Sequence, residues 1–133
     1  MAEIRNVRCQ LITPDREVLD AEATAVVLPA HDGELGVMKN RAPLLCKLGI
    51  GTCRIALAER TRHYYVDGGF ARVLDNRVTI LTQDARTAEE VDVEAAERLL
   101  AEARGRSARD PAAQERRRLD IARASAQIRL ARR

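Results

Sequence analysis

Aromatic side chains are almost missing from this chain. They make up 2% of its 133 residues, with no Trp, two Tyr and one Phe, and all three lie in the stretch YYVDGGF at residues 64–70. A core here is therefore built from Val, Ile, Leu and Ala. Long apolar runs are missing too. Nothing approaches the roughly 20 residues needed to span a bilayer, and no basic segment leads into an apolar one near the start. The expectation is a soluble protein made where it works. Cysteine is scarce and odd in number. Cys9, Cys46 and Cys53 form no C-x-x-C pattern, so they read as buried small hydrophobes in a reducing compartment. His31 and His63 share no spacing with them, and no metal site is assigned.

The usual marks of catalysis are absent as well. The sequence holds no G-x-S-x-G elbow, no H-E-x-x-H, no Walker loop and no G-x-G-x-x-G after a strand. The glycines of Gly49-Ile50-Gly51 and Asp67-Gly68-Gly69 read as bends in a β domain, for which local geometry suffices. No catalytic residue is assigned. A binding or structural part is expected rather than an enzyme.

What the chain does have is an uneven charge. Through residue 85 basic and acidic side chains balance at eleven each. Residues 86–97 hold one Arg against five acids, and residues 98–133 hold eleven Arg against four acids. A neutral body, an acidic junction and a basic end point to two structural units. These are placed at residues 1–86 and 87–133.

The first unit has the grammar of short strands. Val7, Cys9 and Leu11 alternate on one face, AVVLPA is an apolar run ended by Pro29, and Cys53, Ile55 and Leu57 alternate against Thr52, Arg54 and Ala56. Two further runs meet at Leu74-Asp75-Asn76-Arg77, a tight hairpin turn in which Asn tolerates positive φ. Turn residues recur at Thr13-Pro14-Asp15, His31-Asp32-Gly33, Gly49-Ile50-Gly51 and Asp67-Gly68-Gly69. The pattern predicts an all-β sandwich or flattened barrel of roughly eight to ten short strands.

After Gln83 the period moves towards that of a helix. Asp92 is a natural N-cap for a helix ending near residue 104, with Ala96, Leu99, Leu100 and Ala103 on one stripe. Thr87 and Glu90 also fit a capping box, which would start the helix earlier. Gly105-Arg106-Ser107 breaks it. Asp110-Pro111 then reads as N-cap and first residue of a second helix running to about residue 131. The result is an α+β chain: a sandwich followed by an antiparallel helical hairpin. Its stripes are mostly Ala, so the hairpin buries little and is expected to be marginal alone.

Two stretches are distinctive together: GELGVMKNRAPLL at 33–45 and VDGGFARVLDNRVTILTQDA at 66–85. In this order, ahead of a helical hairpin, they resemble the epsilon subunit of F-type ATP synthases, and the resemblance runs from TPDREV to ARASAQ. It implies a ten-stranded sandwich with a two-helix hairpin. It further implies a non-catalytic rotor subunit that binds gamma and the ring of c subunits, on the cytoplasmic face of the bacterial inner membrane. Contact with the membrane is then only through the complex. The family's G-E-L-G loop faces the c ring, which carries that role onto Glu34, Leu35, Met38 and Arg41. Arg41 stands where the family usually has His, so a pH-sensitive role there is lost. The Arg-rich, Lys-poor usage suits a bacterial chain.

The same resemblance makes the hairpin a regulator. It folds down on the sandwich or extends along gamma and obstructs rotation in the hydrolytic direction. Two packings a few kcal/mol apart suit a low-burial helix pair. Arg116, Arg117, Arg118, Arg123 and Arg129 match electrostatically the acidic segments of the catalytic alpha and beta subunits, met transiently. Some members bind ATP through I/L-D-x-x-R-A. Here that place reads Val91-Asp92-Val93-Glu94-Ala95-Ala96, with Ala95 where the phosphate-binding Arg belongs. No cofactor is assigned, and ATP binding is expected to be weak or absent. LDIARA at 119–124 fits by letters but falls in the second helix. The chain reaches Arg133 soon after ARASAQ, which implies a weak brake. The alternative is a basic-tailed nucleic-acid-binding protein. Against it, the tail offers no aromatics for stacking, its arginines are interrupted by Glu115 and Asp120, and the β body is neutral.

Overall fold

A computed structural model describes residues 6–133. Ten strands run in the order β1 (Val7–Ile12), β2 (Glu17–Ala23), β3 (Ala25–Ala30), β4 (Gly33–Val37), β5 (Leu44–Lys47), β6 (Ile50–Ala56), β7 (Thr61–Asp67), β8 (Phe70–Leu74), β9 (Arg77–Leu81) and β10 (Ala85–Arg86). Two helices follow, α1 (Val93–Gly105) and α2 (Pro111–Ala131).

The strands form two five-stranded sheets, ordered β2-β1-β9-β8-β5 and β10-β7-β6-β3-β4. Every pairing is antiparallel except that of β1 with β9. The alternation read from the sequence decides what points inward. Val7, Cys9 and Leu11 from β1 meet Val26, Leu28, Cys53, Ile55, Tyr64 and Val66 from the opposite sheet, all of them buried. The two sheets thus pack face to face over one apolar layer. The three cysteines are free and buried. Burial pushes the Cys9 thiol up to about 12, and burial likewise raises Cys53. Both act as small hydrophobes.

Turn chemistry sets the register. Asp75 and Asn76 take φ of 50° and 60° between β8 and β9, the left-handed pair that a two-residue hairpin needs. At the entry to β8, Gly69 has φ of +99°, and a Cβ there would lie 1.9 Å from the Leu81 carbonyl oxygen. Only glycine fits this crossing.

Asp92 and Asp110 cap the helices, their carboxylates accepting from the backbone N–H of Ala95 at 3.0 Å and of Ala113 at 2.8 Å. The capping-box pair also forms, but to another end. Glu90 accepts from Thr87 N–H and Oγ1, while Glu90 N–H and Val91 N–H bond back to Thr87 and Ala88 carbonyls. That closes a turn ahead of the helix and does not begin it. The outcome favours Asp92 as the cap. Of the α1 stripe, Ala96 and Ala103 are buried and Leu99 and Leu100 half-buried. Small residues let the two helices approach closely. The hairpin is folded against the sandwich, with α2 lying along β6 and β7 on the outer face of the second sheet.

Candidate functional site

The two outer faces of the sandwich have different fates. On the second sheet, the outward residues of β7 meet α2 in step. Asp67 accepts from Arg123 at 3.0 Å, Tyr65 is buried with Ala126 and Leu130, and His63 lies beside Leu130 and Arg133. Val91 from the linker completes the small cluster, with Ile50, Ala88, Val93 and Ala131 packed around it. Burial pushes the Tyr65 hydroxyl up to about 12, against a lowering contribution from neighbouring Gln127. That hydroxyl makes no hydrogen bond of normal geometry among the described residues, and neither does His63 Nδ1, although both are buried. Two buried polar atoms without partners weaken the docking.

An ion ladder offsets part of this cost. Glu102 and Asp120 both hold Arg106, at 2.9 and 3.0 Å. Asp120 and Asp67 both hold Arg123, at 3.1 and 3.0 Å. The ladder therefore runs from α1 through α2 to β7. Asp120 is held below the usual carboxylate range, first by its hydrogen bond from Arg106 and also by Arg123.

Among the described residues, nothing packs on the outer face of the first sheet. Ile12, Leu81, Phe70 and Lys47 lie in one cross-strand row, and Leu45 stands in the next, opposite Arg72. Phe70 and Leu81 are each 51% exposed and Leu45 is 70% exposed. Arg8, Arg72 and Arg77 are exposed on the same strands. A row of large apolar side chains, bordered by Arg72 and Arg77 and by the Glu17, Asp20 and Glu22 edge of β2 where Asp20 holds Arg8 at 2.7 Å, is the mark of a contact surface. Periodicity alone missed it, because alternation says which residues leave the core and not which outer face stays uncovered.

The residues singled out from sequence disperse. Glu34 and Leu35 belong to strand β4 and not to a loop, because pairing with Pro29 and Leu28 carries the stretch into the sheet. Glu34 is ion-paired with Arg54 at 2.8 Å, and Leu35 packs half-buried against the core. Met38, 63% exposed, and exposed Arg41 do lie in the turn beyond β4. In the hairpin, Arg117 donates to the Ala103 and Arg104 carbonyls at the C-terminal end of α1, at 3.0 and 3.2 Å. Cations are favoured there by the helix dipole. Arg118 pairs with Glu115 within its own helix, and Arg123 holds Asp67. Arg116 and Arg129 are exposed and make no ion pair among the described residues. Around the degenerate nucleotide motif, Val91 and Ala96 are buried, Ala95 is half-buried, and the Asp92 carboxylate is occupied by capping. Arg86 pairs with Asp84 at 2.8 Å.

Comparison with known proteins completes the picture. Residues 6–88 match the family model for the β-sandwich domain of the ATP synthase delta/epsilon chain. The ATP synthase epsilon chain of Rhodopirellula baltica is 45% identical over 98 residues, which cover 74% of this chain and 77% of that one. The epsilon chain of Nitratidesulfovibrio vulgaris is 35% identical over 128 residues, covering 93% of this chain and 89% of that one. The chain belongs to the ATP synthase epsilon family. The fold agrees. A chain in the Euglena gracilis mitochondrial ATP synthase structure with its c-ring superposes at a TM-score of 0.83 with 24% identity, covering 96% of this chain and 82% of that one. A Tetrahymena thermophila central stalk and c-ring structure gives a TM-score of 0.68 with 19% identity, covering 94% of this chain and 92% of that one. As an epsilon chain, this one has no described helix long and apolar enough to cross a membrane.

Proposed function

We propose that this epsilon chain is a non-catalytic subunit of the central stalk, carried as a peripheral part of a bacterial ATP synthase on the cytoplasmic face of the inner membrane. It binds gamma, meets the c ring, and couples rotation to ATP synthesis. The observation that carries this reading is the asymmetry of the sandwich. One sheet is covered by the chain's own hairpin, while the other presents the Phe70–Leu81 row with none of the described residues packed over it. An apolar row with a rim of mixed charge suits a permanent protein partner, and gamma is the partner assigned to it. Met38 and Arg41 form the exposed part of the turn assigned to the c ring. Glu34 contributes there only by exchanging its Arg54 contact. The hairpin restrains hydrolysis weakly, since Arg116 and Arg129 alone of the five arginines are unengaged while it is docked. ATP binding by the hairpin is weak or absent, as Ala95 supplies no cation and Asp92 is already capping.

The test is co-purification with gamma and ATPase assay of the assembly. Phe70→Glu is expected to abolish retention of gamma while leaving the fold intact, because the ring is half in solvent already. Deleting residues 88–133 is expected to keep gamma bound and raise hydrolysis modestly. Gamma binding that survives Phe70→Glu together with Leu81→Glu would exclude the face assigned here.

A further inference from the structure

The strand registers arrange the outward side chains of the first sheet as a grid. In the row nearest Thr13, Glu17, Ile12, Leu81, Phe70 and Lys47 follow one another across β2, β1, β9, β8 and β5. The row therefore reads acid, three apolar residues, base. Glu17 stands on the outer face, since Gln10 Nε2 donates to its carboxylate at 3.4 Å. Lys47 follows inward-facing Cys46 and so points outward by strand alternation. Both ends of the row are exposed, and neither enters an ion pair among the described residues. The next row reads Asp20, Gln10, Thr79, Arg72 and Leu45, again with an acid at the β2 end.

Such a row is its own complement. Turned about a two-fold axis along β9, a second copy laid face to face brings its Lys47 over Glu17 and its Glu17 over Lys47. Its Phe70 then meets Ile12, and the two Leu81 side chains meet at the axis. The same operation sets Arg72 over Gln10 of the other copy, beside Asp20. A two-fold axis along the row would instead stack Glu17 on Glu17 and Lys47 on Lys47, and like charges oppose it. Two features keep the favoured pairing weak. Five strands about 4.8 Å apart and about five residues long give a footprint of roughly 400 Å2, against roughly 800 Å2 per partner in a standard interface. Arg77 also shares the outward side of β9 with Leu81, so its two copies approach each other at the axis.

We propose that the chain free of its partner covers this face with a second copy of itself, in a weak two-fold dimer that sets Glu17 of each copy against Lys47 of the other. The pairing is closed, because each copy spends its one row on the other and leaves no end for a third. It shields the apolar row until assembly, when gamma takes the face and the second copy leaves. The pairing rests on the row itself and not on the assignment of gamma, and the two are tested separately.

The test is sedimentation equilibrium of the full chain over concentrations up to the millimolar range. A reversible monomer–dimer equilibrium is expected. Glu17→Lys and Lys47→Glu each weaken it about tenfold, since two exposed ion pairs become two like-charge contacts. The chain carrying both substitutions regains the native equilibrium, and a mixture of the two single variants pairs one with the other in preference to itself. Arg77→Gln tightens the dimer by removing the repulsion at the axis. A chain that stays monomeric throughout overturns the proposal. So does association that the single reversals leave unchanged, or that the double swap fails to restore. Gamma added to the dimer is expected to yield complexes with one copy of this chain. Gamma bound to an undissociated dimer overturns the exchange, while the charge swap still decides the pairing.

Discussion

Tyr65 shows how much one side chain can depend on context. In the sequence it is the second of two adjacent tyrosines, and strand alternation requires that they face opposite ways. Tyr64 joins the sandwich core, and Tyr65 becomes the anchor on which α2 sits. The Tyr65 hydroxyl is buried without a normal hydrogen bond, so removing it relieves a desolvation penalty. Tyr65→Phe is expected to leave stability unchanged or raise it by up to about 1 kcal/mol, measured as the urea midpoint. The hydroxyl also gives a pH test. Burial raises its pKa to about 12 from 10.0, with Asp67 and Asp84 raising it further and Gln127 and Arg123 opposing. The folded state thus keeps a proton that the unfolded chain loses near pH 10. Docking stability is flat below that pH and falls between pH 10 and about 12. Exchange of α2 amides should speed up across this window in the native chain, and much less in Tyr65→Phe. Equal acceleration in both would refute the assignment.

At the scale of elements, the helix pair was legible in Asp92, Gly105 and Asp110-Pro111, because caps and breakers act within a few residues. Its docking was not. Arg123 read as one of several arginines available to a partner, and the structure joins it to Asp67 across 56 positions of sequence. The Arg123 side chain is 35% exposed and that of Asp67 19%, so the pair lies between a surface bridge and a buried one. Arg123→Ala is expected to weaken docking by on the order of 1–2 kcal/mol. This corresponds to roughly a tenfold faster exchange of α2 amides, with amides of β1 and β9 unaffected. Arg129→Ala, which breaks no described ion pair, serves as the control. If both variants exchange alike, the ladder does not hold the hairpin.

For the whole molecule, the decisive feature is that the two apolar clusters are separate. The sandwich core takes its buried residues from Val7 to Ala85 and none from the helices, while the second cluster joins Tyr65 and Val91 to Ala126 and Leu130. A chain ending at residue 87 should therefore keep a cooperative urea transition for the sandwich, with near-native β circular dichroism. It should also expose Tyr65 to the solvent. Loss of the cooperative transition would show that the hairpin is part of the fold and not an appendage on it. This separation is what allows a hairpin to come and go on a stable body.

Alternation, turn residues and caps determined the sandwich, the hairpin and most boundaries, since each is a backbone preference expressed over two to four residues. The paired motifs at 33–45 and 66–85 carried the family. What only the tertiary structure decided is which sheet α2 covers, which arginines it engages, and which face it leaves open. Those outcomes compare whole faces assembled from distant strands, and the faces differ by a few side chains. A linear pattern shows that Glu17, Phe70 and Lys47 exist. It cannot show that they share a row.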